Sequence, residues 1–137
     1  MTDLPVQLLP SLSEPLNAGF WAACRQRRLE AQECAECGAI RWPPARLCPS
    51  CLGATTRMRA LSGGGTIWSH ARYERALHPG VVAAVPYVVL VVALDEGPLM
   101  VSRLTGDEAG LEIGTPARVV FTDVAPGVTL PLFELVH

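Results

Sequence analysis

Two matched pairs of cysteines constrain this chain more than any other feature. Their pattern is Cys34-x2-Cys37-x10-Cys48-x2-Cys51. Each Cys-x-x-Cys turn lets two thiolates reach one ion while backbone amides of the turn point at the sulfurs. Two such knuckles close a four-sulfur shell with bonds of about 2.3 Å and leave no position open for a substrate. Gly38 follows Cys37 where such a turn calls for a positive φ, and Pro49 stiffens the second turn. The spacing therefore points to a structural Zn2+ held by Cys34, Cys37, Cys48 and Cys51. Iron, as in rubredoxin, is the alternative metal, although rubredoxins separate their pairs further and bury several aromatic residues between them. Metal binding at sites of this kind is worth on the order of 10–16 kcal/mol in small peptides, ample for a knuckle with almost no core of its own. The fifth cysteine, Cys24, reads as a small buried apolar residue, with no base beside it to make it a nucleophile.

Cysteines read as ligands only where thiols stay reduced. Met1-Thr-Asp-Leu-Pro5 lacks the basic start and apolar core of a signal peptide, so a cytoplasmic location is expected. No apolar run reaches the roughly 18 residues of a membrane span; the longest, Val81 to Leu94, is broken by Pro86. The chain is 50% hydrophobic and 18% charged, against roughly 25% charged in an ordinary domain. It has apolar surface to spare.

The rest of the 137 residues divides into three parts. Residues 1–30 read as an N-terminal arm followed by a helix from Ala18 to Glu30, with Asn17 as its cap. Phe20, Ala23, Cys24 and Arg27 share one face at spacings of three and four, and Arg25, Arg27 and Arg28 suit the C-terminal end of the helix dipole. Residues 31–60 hold the cysteine pairs, with Pro43 and Pro44 favouring two extended arms joined by a stiff turn. Residues 61–137 carry β signals only. Five strands are expected, over 66–73, 87–94, 99–104, 117–121 and 130–136, separated by Gly and Pro turns. Five short strands suggest a small barrel of the OB type. The strand at 87–94 is apolar throughout, and a barrel strand that faces water on one side should alternate, so something must cover its outer face.

Little else in the sequence carries chemistry. His70 with Asp95 or Glu96 could form a base and its orienting acid, but no spacing argues for it. His78 and His137 read as loop and terminal residues. Gly63-Gly64-Gly65 reads as a break between modules, and no nucleophile elbow, P-loop or dinucleotide fingerprint occurs. No autonomous active site is legible. Trp21, Trp42, Trp68 and the Pro43-Pro44 corner add apolar surface rimmed by arginine, which reads instead as a partner interface centred on Phe20, Trp21, Arg28, Trp42, Pro43, Pro44 and Arg46. The competing reading is that helix and ribbon cover that surface themselves.

These residues assemble into a recognisable set. Phe20-Trp21 and Arg28-Leu29, Cys34-Ala-Glu-Cys37-Gly38, Trp42-Pro43-Pro44-Ala-Arg46, Cys48-Pro49-x-Cys51, Gly63-x-Gly65-Thr66-Ile67-x-Ser69, Pro86-Tyr87, Leu94-Asp-Glu-Gly97, Ile113-Gly114 and Pro131-Leu-Phe133 resemble the zinc-ribbon/OB-fold acyl-CoA-associated family known as domain of unknown function 35. The resemblance spans roughly residues 18–135. It implies a mainly β protein: an N-terminal helix, a rubredoxin-like zinc ribbon and a five-stranded OB-fold barrel. It also implies a non-catalytic subunit of thiolase-superfamily or lipid-transfer-protein-like enzymes, including aldolases of steroid side-chain degradation, or of enoyl-CoA hydratases. Acyl-CoA would be shared with the partner, in a hetero-oligomer of lipid metabolism. Two departures bear on which acyl group and partner are taken: a longer, more apolar loop from Arg75 to Val85, and His70 where a hydroxyl is common. The rival class is a nucleic-acid-binding protein. It needs cations interleaved with aromatics along the barrel, whereas residues 63–137 hold four Arg against eight acids and the chain has no Lys.

Overall fold

The first regular element of the computed structural model, which describes residues 9–78 and 84–137, is helix α1 (Ala18–Arg25). It is shorter than the 18–30 expected. Arg27 adopts φ 60°, and the amides of Arg27 and Arg28 return to the carbonyls of Cys24 and Ala23 at 3.0 and 2.9 Å. A left-handed residue that folds the next amides back onto the last turn ends a helix. Asn17 heads the helix, but its side chain makes no capping bond. Glu14 turns the chain instead, its carboxylate accepting from the Asn17 amide at 3.1 Å. Phe20, Ala23 and Cys24 are buried, as their spacing requires. The N-terminal arm over residues 1–8 and the centre of the Arg75–Val85 loop, residues 79–83, lie outside the described residues.

Leu29, released from the helix, turns into the core, and the chain enters a three-stranded antiparallel sheet. Its strands are β1 (Glu30–Cys34), β2 (Ile40–Arg41) and β3 (Thr56–Ala60), in the order β2-β1-β3. Only the first of the two arms expected around Pro43-Pro44 is a strand, and it is two residues long. Two successive prolines offer no amide to a ladder. The chain beyond them is pinned by a side chain: Gln32 Oε1, buried on β1, accepts from the Ala45 amide at 2.9 Å. Across the β1–β3 pair, Glu33 is held by Arg57 (Nε to Oε1, 2.8 Å) and Arg59 (Nη1 to Oε2, 3.1 Å). Those guanidiniums keep its carboxyl below the ordinary range.

The five barrel strands stand where the alternation placed them, with modest changes at their ends: β4 (Gly64–Tyr73), β5 (Tyr87–Leu94), β6 (Leu99–Arg103), β7 (Pro116–Ala125) and β8 (Val128–Leu135). They form one antiparallel sheet in the order β6-β5-β4-β7-β8. The sheet curls until its two edges meet in parallel at Leu104 and Phe133, where the Thr105 amide donates to the Phe133 carbonyl at 2.8 Å. That closure is the five-stranded OB topology, which is only partly sealed. Gly65 is required where β4 crosses β5, since a Cβ there would sit 2.4 Å from the Ala93 carbonyl oxygen. Ile67, Leu90, Val92, Met100 and Phe133 fill the interior, and Phe20, Cys24 and Leu29 extend the same cluster out to α1.

Burial along β5 alternates although its sequence does not. Val88, Leu90, Val92 and Leu94 are buried, while Tyr87, Val89, Val91 and Ala93 are only partly covered. Trp68, at a bulge in β4, and Leu99 and Val101 on β6 are exposed. Helix and ribbon thus leave apolar surface uncovered on the described residues.

Candidate metal centre and adjoining groove

The sulfurs of Cys34, Cys37, Cys48 and Cys51 all lie within 4.8 Å of one another. Cys34 and Cys51 approach to 3.6 Å, as do Cys37 and Cys48. A tetrahedral zinc with bonds of about 2.3 Å needs sulfur–sulfur edges of about 3.8 Å, so this donor set fits the ion with little adjustment. β1 delivers Cys34 at its last residue, the knuckle turn at Gly38 (φ 79°) brings Cys37, and the second turn brings Cys48 and Cys51. The two knuckles differ in one respect. Where the first has Gly38, the second has Leu52, a branched residue at φ 63° whose amide donates to the Cys48 carbonyl at 2.7 Å and which is 73% exposed.

The turns prepare the sulfurs for a cation. Amides of Cys37 and Glu36 aim at Cys34 and lower its pKa, and amides of Cys51 and Ser50 bring Cys48 down to about 6. For Cys37 the Ala39 amide, and for Cys51 the Gly53 amide, pull the same way. Each is the largest single influence, but hydrogen bonds to neighbouring sulfurs (Cys48 and Cys34 for Cys37; Cys34, Cys37 and Cys48 for Cys51) together with burial outweigh it, raising Cys37 and taking Cys51 to about 12. Without an ion the four thiols cannot all ionise together; a divalent cation removes that conflict. The buried pair, Cys34 and Cys48, faces the protein, and Cys37 and Cys51 lie at the surface. Cys24 stands apart in the core, its thiol pushed up to about 12 by burial.

The proposed interface residues divide into two sets. Phe20, Trp21 and Trp42 come together: the Phe20 and Trp21 rings meet edge to face at 4.9 Å, and Phe20 and Trp42 are 6.1 Å apart. Phe20 is buried, so it forms a floor, while Trp21 and Trp42 are half-buried walls. Arg28 faces solvent beside Glu30 (3.6 Å). Pro43 and Arg46 are exposed and Pro44 half-buried, outside the aromatic group. The three rings line one side of a groove of about 350 Å³ whose other side is Val101, Ser102, Arg103 and Leu130–Leu132. Sequence reasoning missed that second wall, because only closure of the barrel brings β6 to β8. The histidine dyad is not formed: Asp95 and Glu96 hydrogen-bond Ser62 (3.0 and 2.8 Å) near Gly64, while His70 is exposed further along β4.

The comparisons agree with this anatomy. Residues 21–57 match the family model of the ChsH2 rubredoxin-like zinc ribbon domain, and residues 58–122 that of the ChsH2 C-terminal OB-fold domain. A DUF35 domain-containing scaffold protein of Methanothermobacter thermautotrophicus is 32% identical over 108 residues, covering 76% of this chain and 80% of its own. A probable enoyl-CoA hydratase alpha subunit of Thermomonospora curvata is 36% identical over 119 residues, and the 3-oxo-4,17-pregnadiene-20-carboxyl-CoA hydratase alpha subunit of Mycobacterium tuberculosis 31% identical over 122. These matches cover 86% and 88% of this chain but 37% and 38% of the relatives, so the chain spans under two-fifths of either hydratase subunit. Among solved structures, a chain of the Ltp2-ChsH2(DUF35) aldolase superposes with a TM-score of 0.81 at 34% identity, covering 92% of this chain and 98% of that one. A DUF35 protein of unknown function from Sulfolobus solfataricus shares the fold, with a TM-score of 0.66 at 14% identity and coverage of 92% and 89%.

Proposed function

The chain belongs to the ChsH2-type DUF35 family of zinc-ribbon/OB-fold proteins, and from that premise we propose that it is a non-catalytic subunit of an acyl-CoA-processing enzyme. In this reading Cys34, Cys37, Cys48 and Cys51 hold a structural zinc. The ribbon and barrel dock on a thiolase-like or lipid-transfer-protein-like enzyme, of acyltransferase or steroid side-chain aldolase type, and help to form its acyl-CoA site. The reactive groups belong to the partner, and both work in the cytoplasm. The three parts (arm and helix over 1–30, ribbon over 31–60 and barrel over 61–137) act as one docking unit, with Phe20, Trp21, Arg28, Trp42, Pro43, Pro44 and Arg46 at the contact.

The likeness to the aldolase chain carries this reading, because it runs nearly end to end on both sides. Its physical support is that the four cysteine sulfurs cluster as a closed shell, His70 stands apart from Asp95 and Glu96, and apolar groups remain exposed. The hydratase alpha subunits support a hydratase as the second class of partner, with this chain corresponding to part of each subunit.

The test is co-expression with a thiolase-like or hydratase enzyme of the same genome, with a tag on this chain only. The reading expects a stable complex that survives gel filtration and contains about one zinc per copy of this chain. Separate elution of the two proteins would overturn the docking claim. A fluorescent oligonucleotide bound tightly at low salt would favour nucleic acid instead.

A further inference from the structure

Strand β6 presents an open edge. The Leu104 amide donates to the Val88 carbonyl and the Leu94 amide to the Pro98 carbonyl, both at 2.9 Å. With the register Val89↔Arg103, Val91↔Val101 and Ala93↔Leu99, those bonds fix which β6 residues are bonded to β5. They are 98, 100, 102 and 104, so the amides of Leu99, Val101 and Arg103 point away from it. On that side the hydrogen bonds of β6 to β8 among the described residues lie near Leu104–Phe133 and run through Ser102 Oγ on the Pro131 carbonyl at 2.6 Å. The amides of Leu99 and Val101 have no partner among the described residues. Natural sheets blunt such edges with proline, charge or a bulge. β8 has Pro131 facing the seam, whereas β6 shows Leu99 and Val101, 40% and 56% exposed.

Beside this edge stands a charge that the described residues leave unpaired. Arg103 lines the groove and makes no ion pair or side-chain hydrogen bond among the described residues. The indole Nε1 of Trp42, Nε and Nη1 of Arg41 and the acceptor Oε1 of Glu96 are buried without a partner among the described residues, while Nη2 of Arg41 donates to the Ala45 carbonyl at 3.3 Å. A buried donor left unpaired costs about 1–3 kcal/mol. Arg103, a cation that lines the groove without an acceptor among the described residues, calls for an occupant that brings a carboxylate.

We infer that the open edge of β6 and the aromatic groove together receive an extended segment of the partner enzyme, one that adds as a strand to Leu99–Arg103, seats an apolar side chain against Trp21 and Trp42, and presents a carboxylate to Arg103. Charge complementarity and the free edge favour this occupant over a helix, which carries its own backbone bonds and leaves the edge unmet. The inference rests on the subunit reading above and adds to it the mode of contact.

The experiment follows amide hydrogen exchange, residue by residue, in the purified complex and in the free chain, alongside the affinities of Val101→Pro and Arg103→Glu. Proline at 101 removes an outward amide while sparing the β5 ladder. Slowed exchange at Leu99, Val101 and Arg103 in the complex, with affinity lowered about tenfold by Arg103→Glu, is the expected result. Should Val101→Pro disturb folding, seen as lost zinc or a lowered melting temperature, the wild-type exchange data and Arg103→Glu decide alone. A complex that forms with unchanged exchange at these three amides and unchanged affinity for Arg103→Glu overturns the strand-addition inference and leaves the subunit reading intact. If no complex forms, both fall together.

Discussion

Two residues separate the thiols and the charges of this protein by environment. Cys24 is buried and pushed up to about 12, so it is neither a thiolate nor accessible. In zinc-loaded protein no thiol is expected to react with a disulfide reagent over minutes; chelation should release four, and only denaturant the fifth. A fast fifth thiol in the chelated, folded protein would contradict its placement. Asp123 is held the other way. Arg27 grips both of its oxygens (3.0 and 2.8 Å) and Thr129 donates to it at 2.6 Å, which keeps its pKa at about 2 against an ordinary 3.8. A carboxyl depressed in the folded state contributes stability that is complete above its unfolded pKa and is lost as pH falls through the folded one. The clamp should therefore hold above pH of about 4 and release between about 4 and 2. Asp123→Asn should lack this acid-sensitive contribution, read as a difference in acid unfolding by near-ultraviolet circular dichroism. Metal loss is common to both proteins and drops out of the difference.

At the scale of the element, the knuckles and the β4–β5 crossing make complementary demands on glycine. Gly38 has φ 79° and open space where a Cβ would go, so Gly38→Ala meets only the backbone penalty of the left-handed region, about 1 kcal/mol. Leu52 carries that penalty already, and Leu52→Gly should return roughly 0.5–1 kcal/mol in urea unfolding of the zinc form. Gly65→Ala differs in kind. Its methyl would meet the Ala93 carbonyl, and a loss of about 1–3 kcal/mol is expected. These positions also show where the sequence was readable. Gly38 announced its turn, because glycine after a Cys-x-x-Cys pair has a local cause. Leu52 gave no sign, since nothing in its identity reveals a positive φ. The helix was read five residues too long for the same reason: Arg27 is a good helix former whose left-handed conformation accompanies its bond to Asp123, 96 positions away.

For the whole molecule, the four cysteines that cluster and all five barrel strands could be located from the sequence, because each depends on spacing within a few residues. The groove could not. Trp21 and Trp42 were visible as apolar excess, but their opposite wall comes from Val101–Arg103 and Leu130–Leu132, joined only when the barrel closes at Leu104 and Phe133. The apolar strand β5 signalled a face needing cover, and the folded chain leaves Val101 and Trp68 exposed on the barrel. This pattern suits a protein whose surface is completed by another. The most direct test of that claim is the turnover of the acyl-CoA-processing partner, purified alone and then with an equimolar amount of this chain. The account predicts a partner that is weakly active or unstable alone and is restored by the zinc-loaded chain, while the chain alone turns over nothing. Full activity of the partner alone, unchanged on addition of the chain, would contradict it.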